Sequence, residues 1–170
     1  PETARNVRRS PLHDRLASLG ACFGEVAGWE RPNWYAPEGV EPAYEYSFGR
    51  QNWFPYSAEE HRAAREAVSL FDQTSFAKFL LQGRDAETVL QRICANDVGV
   101  PPGRVVYTAM LNERGGMEAD LTVCRLAEDQ FYIVTGTGSA ARDFNWIGRN
   151  IPDGSDVRFT DVSMASAVLG

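Results

Sequence analysis

The sequence predicts an α+β domain, a mostly antiparallel sheet with helices on one face, preceded by an irregular segment rich in aromatics and proline. Three observations carry this. From residue 71 the pattern runs strand, helix, three strands, helix, strand, an order that favours α+β over a parallel sheet. The three central strands are joined by short polar or glycine-bearing turns, so they read as hairpins. The helical stretches place their apolar residues on one side, as helices lying on one sheet face do.

Residues 1–56 hold three of the four tryptophans (Trp29, Trp34, Trp53) and four of the six tyrosines. They also hold most of the prolines. That density predicts an extended segment wrapped over an apolar surface, with turns and little regular structure. A short helix fits residues 11–19. Regularity begins after Tyr56. Ser57 and Glu60 have capping-box spacing, which predicts a helix from Ser57 to about Ser69 with Ala64, Ala67 and Val68 on one face. The expected division is therefore a wrapping segment, 1–56, and the first part of a domain, 57–170.

Residues 77–82 read as a strand. Gly83 and Asp85 end it and open a helix in which Val89, Leu90 and Ile93 share a face, and Asn96 and Asp97 stop that helix. Residues 105–111 and 118–126 alternate as strands around an Asn112-to-Gly116 turn. Residues 131–135 form the next strand. Gly136 to Ser139 make a turn, with Ser139 as N-cap of a helix through Asn150 whose Phe144 and Ile147 face the core. Residues 157–162 form a last strand, and 164–170 read as the start of another. Both ends read as boundaries within a longer protein, with an unpaired sheet edge expected near the second.

Bulk properties narrow the function. The 170 residues are 44% hydrophobic and 24% charged, with a mean hydropathy of -0.34. No apolar run approaches the roughly 20 residues that span a bilayer, and no signal-peptide pattern opens the chain. A net charge of -6 and a pI near 5.0 disfavour nucleic acid, which needs a basic surface. Cys22, Cys94 and Cys124 lack metal or disulfide spacing and read as small apolar residues of a reducing compartment. With only His13 and His61, there is little material for a histidine metal site or a triad, so no metal is expected.

The chemistry-bearing residues cluster around one turn. Glu118 and Asp120, two apart on a strand, are expected on one face, with Leu121 and Val123 on the other. A carboxylate at a strand end, facing inward beside aromatics, could act as a general base. A hairpin turning at Asn112 to Gly116 would bring Tyr107 to Asp120, where a phenol can stack on a heterocycle and hydrogen-bond it. Gly136 to Ser139 follow a strand and precede a helix, but match neither GxGxxG nor a P-loop, so helix capping is the better reading. No nucleophile elbow or HExxH is present.

Residues 103–123 (GRVVYTAMLNERGGMEADLTV) are similar to the folate-site segment of the glycine-cleavage T-protein (aminomethyltransferase) family. Residues 71–78, 86–98 and 11–30 resemble that family's entry strand, next helix and N-terminal stretch in the right order. Residues 30–35 (ERPNWY), 74–79 (TSFAKF), 120–126 (DLTVCRL) and 134–136 (VTG) look like the C-terminal half of dimethylglycine and sarcosine dehydrogenases. Two positions depart from the simple T-protein: Ser75-Phe76 stands where that family has a histidine, and Thr135-Gly136 where it has Asn-Ala.

The resemblance implies a tetrahydrofolate-binding module that captures a one-carbon unit, formaldehyde or iminium, as 5,10-methylenetetrahydrofolate. Asp120 would be the catalytic acid-base group. Tyr107, Asp120, Val134, Thr135 and Gly136 would contact the folate. FAD would sit in an N-terminal domain outside these residues and oxidise an N-methylated glycine. The implied partners are therefore that small-molecule substrate, the FAD domain and a C-terminal remainder. The implied location is cytoplasmic, or the mitochondrial matrix in a eukaryote. The 170 residues alone are expected to be inactive. A non-catalytic interaction or regulatory module, and a simple aminomethyltransferase of the glycine cleavage system, are the alternatives.

Overall fold

A computed structural model describes residues 3–170. The chain forms two compact units, one of residues up to 75 together with 167–170, the other Phe76–Ser166. The boundary expected at 56/57 falls inside a helix, which belongs to the first unit.

The first unit contains helix α1 (His13–Ser18), strands β1 (Ala21–Val26) and β2 (Trp29–Tyr35), and helix α2 (Phe54–Glu66). The expectation of little regular structure is corrected here, because β1 and β2 pair as an antiparallel hairpin. Ala27 and Gly28 both take positive φ, 50° and 83°, which suits a two-residue turn matching the strand twist. Trp34 and Cys22 are buried with Ala36, and Val40, Tyr44, Trp53 and Tyr56 pack against them. Trp34 and Tyr56 stack at 5.5 Å. The aromatics thus build a small core of their own.

Helix α2 begins three residues before Ser57, with Pro55 in its first turn. Proline fixes a helical φ where no N–H partner is needed. Ser57 lies within the helix, and Glu60 accepts the Tyr35 N–H at 2.8 Å instead of closing a capping box. No residue of α2 is buried, and Val68 is 96% exposed, so the expected apolar face is not packed among the described residues. The strand expected at 164–170 is reduced to a bridge between Leu169 and Asp72.

The second unit follows the sequence closely. Strands β3 (Ala77–Gln82), β4 (Val105–Leu111), β5 (Met117–Ala127), β6 (Gln130–Thr135) and β7 (Arg158–Asp161) form one sheet in the order β4-β5-β6-β3-β7. Every pairing is antiparallel. Helices α3 (Ala86–Ile93) and α4 (Ala140–Arg149) supply Val89, Leu90, Ile93 and Ile147 to the core. They meet Phe79, Leu81, Leu121, Val123, Phe131 and Ile133, the inward set of the sheet. Alternation then turns the other residues of β3, β5 and β6 away from the helices. Phe144 stacks on Phe159 at 4.5 Å, and both meet the edge of Phe79.

Candidate functional site

The β4–β5 hairpin carries the candidate site. Asn112 closes its turn: its main-chain carbonyl accepts Gly115 N–H, and its Oδ1 accepts the N–H groups of Arg114 and Gly116 at 3.0 and 2.9 Å. Gly115 sits at φ 77°, a conformation that glycine adopts at no steric cost. The register opposes Ala109 to Asp120 and Tyr107 to Thr122. Tyr107 and Asp120 are therefore diagonal neighbours on one face, and the phenol donates to Asp120 Oδ2 at 2.7 Å. That hydrogen bond, then the carboxylate's charge, pushes the Tyr107 phenol above its usual pKa. Tyr107 stays a donor through neutral and mildly alkaline pH. Asp120 Oδ1 has no partner among the described residues.

Two expectations about this strand need correction. Asp120 is exposed, not facing inward; the inward positions are Ala119, Leu121 and Val123, at 2%, 2% and 1% exposure. Glu118 does not share the face of Asp120. The register shifts after Met110, so that Leu111 opposes Met117. This bulge leaves Glu118 as the extra residue and turns it toward the helix side. There Glu118 accepts Asn112 Nδ2 at 2.8 Å.

The three remaining residues separate. Val134 opposes Thr122 in the sheet, so it joins the face of Asp120 and Tyr107. Thr135 turns the other way, is 4% exposed, and donates to Asp143 Oδ2 at 2.5 Å. Gly136 leaves the strand, and its carbonyl accepts Ser139 N–H at 3.2 Å. Ser139 stands before α4 without a side-chain cap. Its hydroxyl instead reaches Asp143 Oδ2 at 2.7 Å.

Sequence reasoning missed what braces this face. Asn96, read only as a helix stop, donates Nδ2 to the Tyr107 carbonyl at 2.7 Å and its N–H to Thr108 Oγ1 at 3.0 Å. Ala95 N–H donates to the Ala109 carbonyl at 2.8 Å. The segment after α3 thus holds the outer edge of β4, the strand that carries Tyr107. Lys78 opposes Val134, is fully buried, and donates Nζ to the Ser166 carbonyl at 2.9 Å. Tyr132 Oη meets Ser166 Oγ at 2.8 Å. Asp143 is the one buried acid of this unit among the described residues, 1% exposed. Burial raises the Cys94 thiol to about 12, so it stays protonated and inert at neutral pH.

Residues 12–170 match the family model described as the GCVT N-terminal domain. The chain belongs to this family. This GCVT domain is 49% identical over 169 residues to 4-methylaminobutanoate oxidase (formaldehyde-forming) of Paenarthrobacter nicotinovorans, covering 99% of the chain and 20% of that protein. It is 36% identical to the mitochondrial pyruvate dehydrogenase phosphatase regulatory subunit of Mus musculus, over 99% of the chain and 20% of that protein. It is 37% identical to human mitochondrial sarcosine dehydrogenase, over 86% of the chain and 20% of that protein. The chain spans about a fifth of the length of these relatives. The crystal structure of aminomethyltransferase T from Bartonella henselae superposes with a TM-score of 0.74 at 26% identity, over 93% of this chain and 39% of that one. The GCVT domain therefore has the T-protein fold expected from residues 103–123, in chains whose relatives include oxidases and dehydrogenases.

Proposed function

We propose that this GCVT domain binds tetrahydrofolate on the sheet face carrying Tyr107 and Asp120, and captures a one-carbon unit there as 5,10-methylenetetrahydrofolate. The observation that carries the reading is the Tyr107–Asp120 hydrogen bond, which leaves one carboxylate oxygen free beside an exposed phenol ring. Tyr107 is 65% exposed, so its ring is open to a flat heterocycle. A reduced pterin presents N–H donors and a planar edge, and an acceptor beside an aromatic surface fits both. When bound, tetrahydrofolate supplies two amine nitrogens that take up the carbon.

The residues of the chain do the rest. Asp120 Oδ1 accepts a ligand N–H and orients the pterin edge, and its carboxylate takes up or relays the proton released as carbon and nitrogen join. A positioned general base contributes roughly 10²–10⁴ in rate. Tyr107 holds Oδ2, which fixes the carboxylate rotamer. Val134 offers apolar surface two strands away from Tyr107 on the same face. The backbone of Thr135 and Gly136 borders that surface, with the Thr135 side chain anchored in the fold and not on the ligand.

We place the domain in an FAD-dependent demethylating oxidoreductase of the dimethylglycine or sarcosine dehydrogenase kind. The 49% and 37% identities to an oxidase and a dehydrogenase of N-methyl amines support this. FAD would be held by the remainder of such a protein, since this chain carries no dinucleotide fingerprint. The substrate would be an N-methylated amino acid and the location cytoplasmic, or mitochondrial in a eukaryote. A second reading, a regulatory module without catalysis, has the 36% identity to a regulatory subunit in its favour. The Tyr107–Asp120 pair favours the catalytic one.

The test is Asp120→Asn in the full-length protein. Amine oxidation should proceed at the wild-type rate while methylene-folate formation slows by about 10²-fold or more. Folate product formed at an unchanged rate would remove Asp120 from the chemistry.

A further inference from the structure

On the helix side of the same sheet, away from Asp120, a cavity of about 610 Å³ opens between α3, α4 and the β4–β5 turn. Small-ligand sites run from roughly 300 to 1,000 Å³. Arg92 comes from α3, Glu113 and Arg114 from the turn, Glu118 from the bulge and Trp146 from α4. Two features set this cavity apart from an ordinary wet cleft. The Trp146 indole Nε1–H is buried and has no acceptor among the described residues. A buried donor in that state is unfavourable. The charges are also unspent. Neither Arg92 nor Arg114 forms an ion pair among the described residues, and Glu113 does not either. Glu118 takes only the Asn112 amide.

Two guanidiniums and two carboxylates lining one cavity cancel in net charge. The glutamates disfavour a polyanion, and the guanidiniums disfavour a bare cation. A ligand carrying both charges satisfies both sets. We propose that this cavity binds a small zwitterionic amino-carboxylate: Arg92 and Arg114 take its carboxylate beside the Trp146 indole, and Glu113 with Glu118 take its ammonium group. Guanidinium–carboxylate contacts are the strongest available to such a site. The bulge at Glu118 is what makes it possible, because an unbroken register would leave this acid on the Asp120 face. The proposal is independent of the folate reading, as it uses none of the residues placed there.

The test is titration of the whole chain, watching the Trp146 indole N–H in proton–nitrogen spectra. Its signal is identified by its loss in Trp146→Phe. The probes are glycine, β-alanine and 4-aminobutanoate, with acetate, ethylamine and inorganic phosphate as single-charge controls. At least one amino-carboxylate should shift the signal saturably, with acetate, ethylamine and phosphate each weaker by about tenfold or more. Arg92→Gln and Glu113→Gln, both at exposed positions, should each weaken that binding by about tenfold while the rest of the spectrum keeps its folded dispersion. The proposal is overturned if no amino-carboxylate shifts the signal up to about 50 mM. It is equally overturned if acetate or phosphate binds as tightly, or if both variants bind like the wild type.

Discussion

Tyr107 donates its phenolic proton to Asp120 Oδ2 at 2.7 Å, from a strand position two residues removed from direct opposition. The bond is exposed, so it contributes little to folding, but it sets which carboxylate oxygen stays free. It also bears on the titration of Tyr107. The carboxylate raises the phenol's pKa, so its removal should lower it. In Asp120→Asn, Tyr107 should ionise nearer the ordinary value of about 10, read from its ring carbon shift. No change in the Tyr107 titration would mean that the pair does not form in solution.

Glu30 gives a pH prediction in the first unit. It is 3% exposed and accepts from Arg5 at 2.6 Å and from Asn6 N–H at 2.6 Å. The Arg5 hydrogen bond leads the causes that lower its pKa to about 2. The folded value lies below the unfolded one, so the stabilisation is complete above about pH 4.5 and is lost as pH falls toward 2. Arg5 is partly exposed, which reduces the gain to about 2 kcal/mol. The stability gap between wild type and Glu30→Gln should therefore narrow by about 1 kcal/mol, roughly half of that amount, between pH 5 and about pH 3 in urea unfolding. A gap independent of pH would contradict the pairing.

Gly83 ends β3 at φ 138°, and a Cβ built there would lie 2.2 Å from the Asp156 carbonyl oxygen. Both atoms belong to backbone that is held in place: Gly83 N–H donates to the Asp129 carbonyl at 2.9 Å, and Asp156 N–H to Asp85. Gly83→Ala should cost about 2–4 kcal/mol through overlap and strain. A shift in the midpoint of denaturant unfolding measures it. A neutral substitution would show that the β3 end can move.

Asp143 accepts hydroxyl protons from Thr135 and Ser139 on one oxygen, and Arg142 Nε lies 3.1 Å from the other. Asp143→Ala would leave the Thr135 hydroxyl without its acceptor and Ser139 with only the Gly136 carbonyl, and should destabilise by about 1–3 kcal/mol. Thr135→Val, which removes one donor and keeps the shape, should cost less. Equal losses in the two variants would place the effect in packing rather than in the network.

Much of the second unit was legible because its local signals agree with each other. The alternation of β3, β4 and β6 and the Asn112-to-Gly116 turn fixed the pairing that brings Tyr107 to Asp120. Glu118 was misplaced because a bulge changes register without changing sequence pattern. The β1–β2 hairpin was missed because Pro32 and the shift at Cys22/Phe23 break its alternation. Ala27-Gly28 also lacks the usual Asn-Gly signature. The start of α2 went to Ser57 because its spacing to Glu60 matched a cap, whereas Pro55 sets the first turn and Glu60 is spent on Tyr35. Asn96 and Lys78 were invisible as braces. Their partners, Tyr107 and Ser166, lie 11 and 88 residues along the chain.

Calorimetric titration of tetrahydrofolate into the wild-type domain and into Asp120→Asn tests the folate reading most directly. Saturable binding is expected for the wild type, with affinity reduced at least about tenfold in the variant at unchanged thermal stability. Equal affinity for the two proteins would contradict a folate site built on this carboxylate.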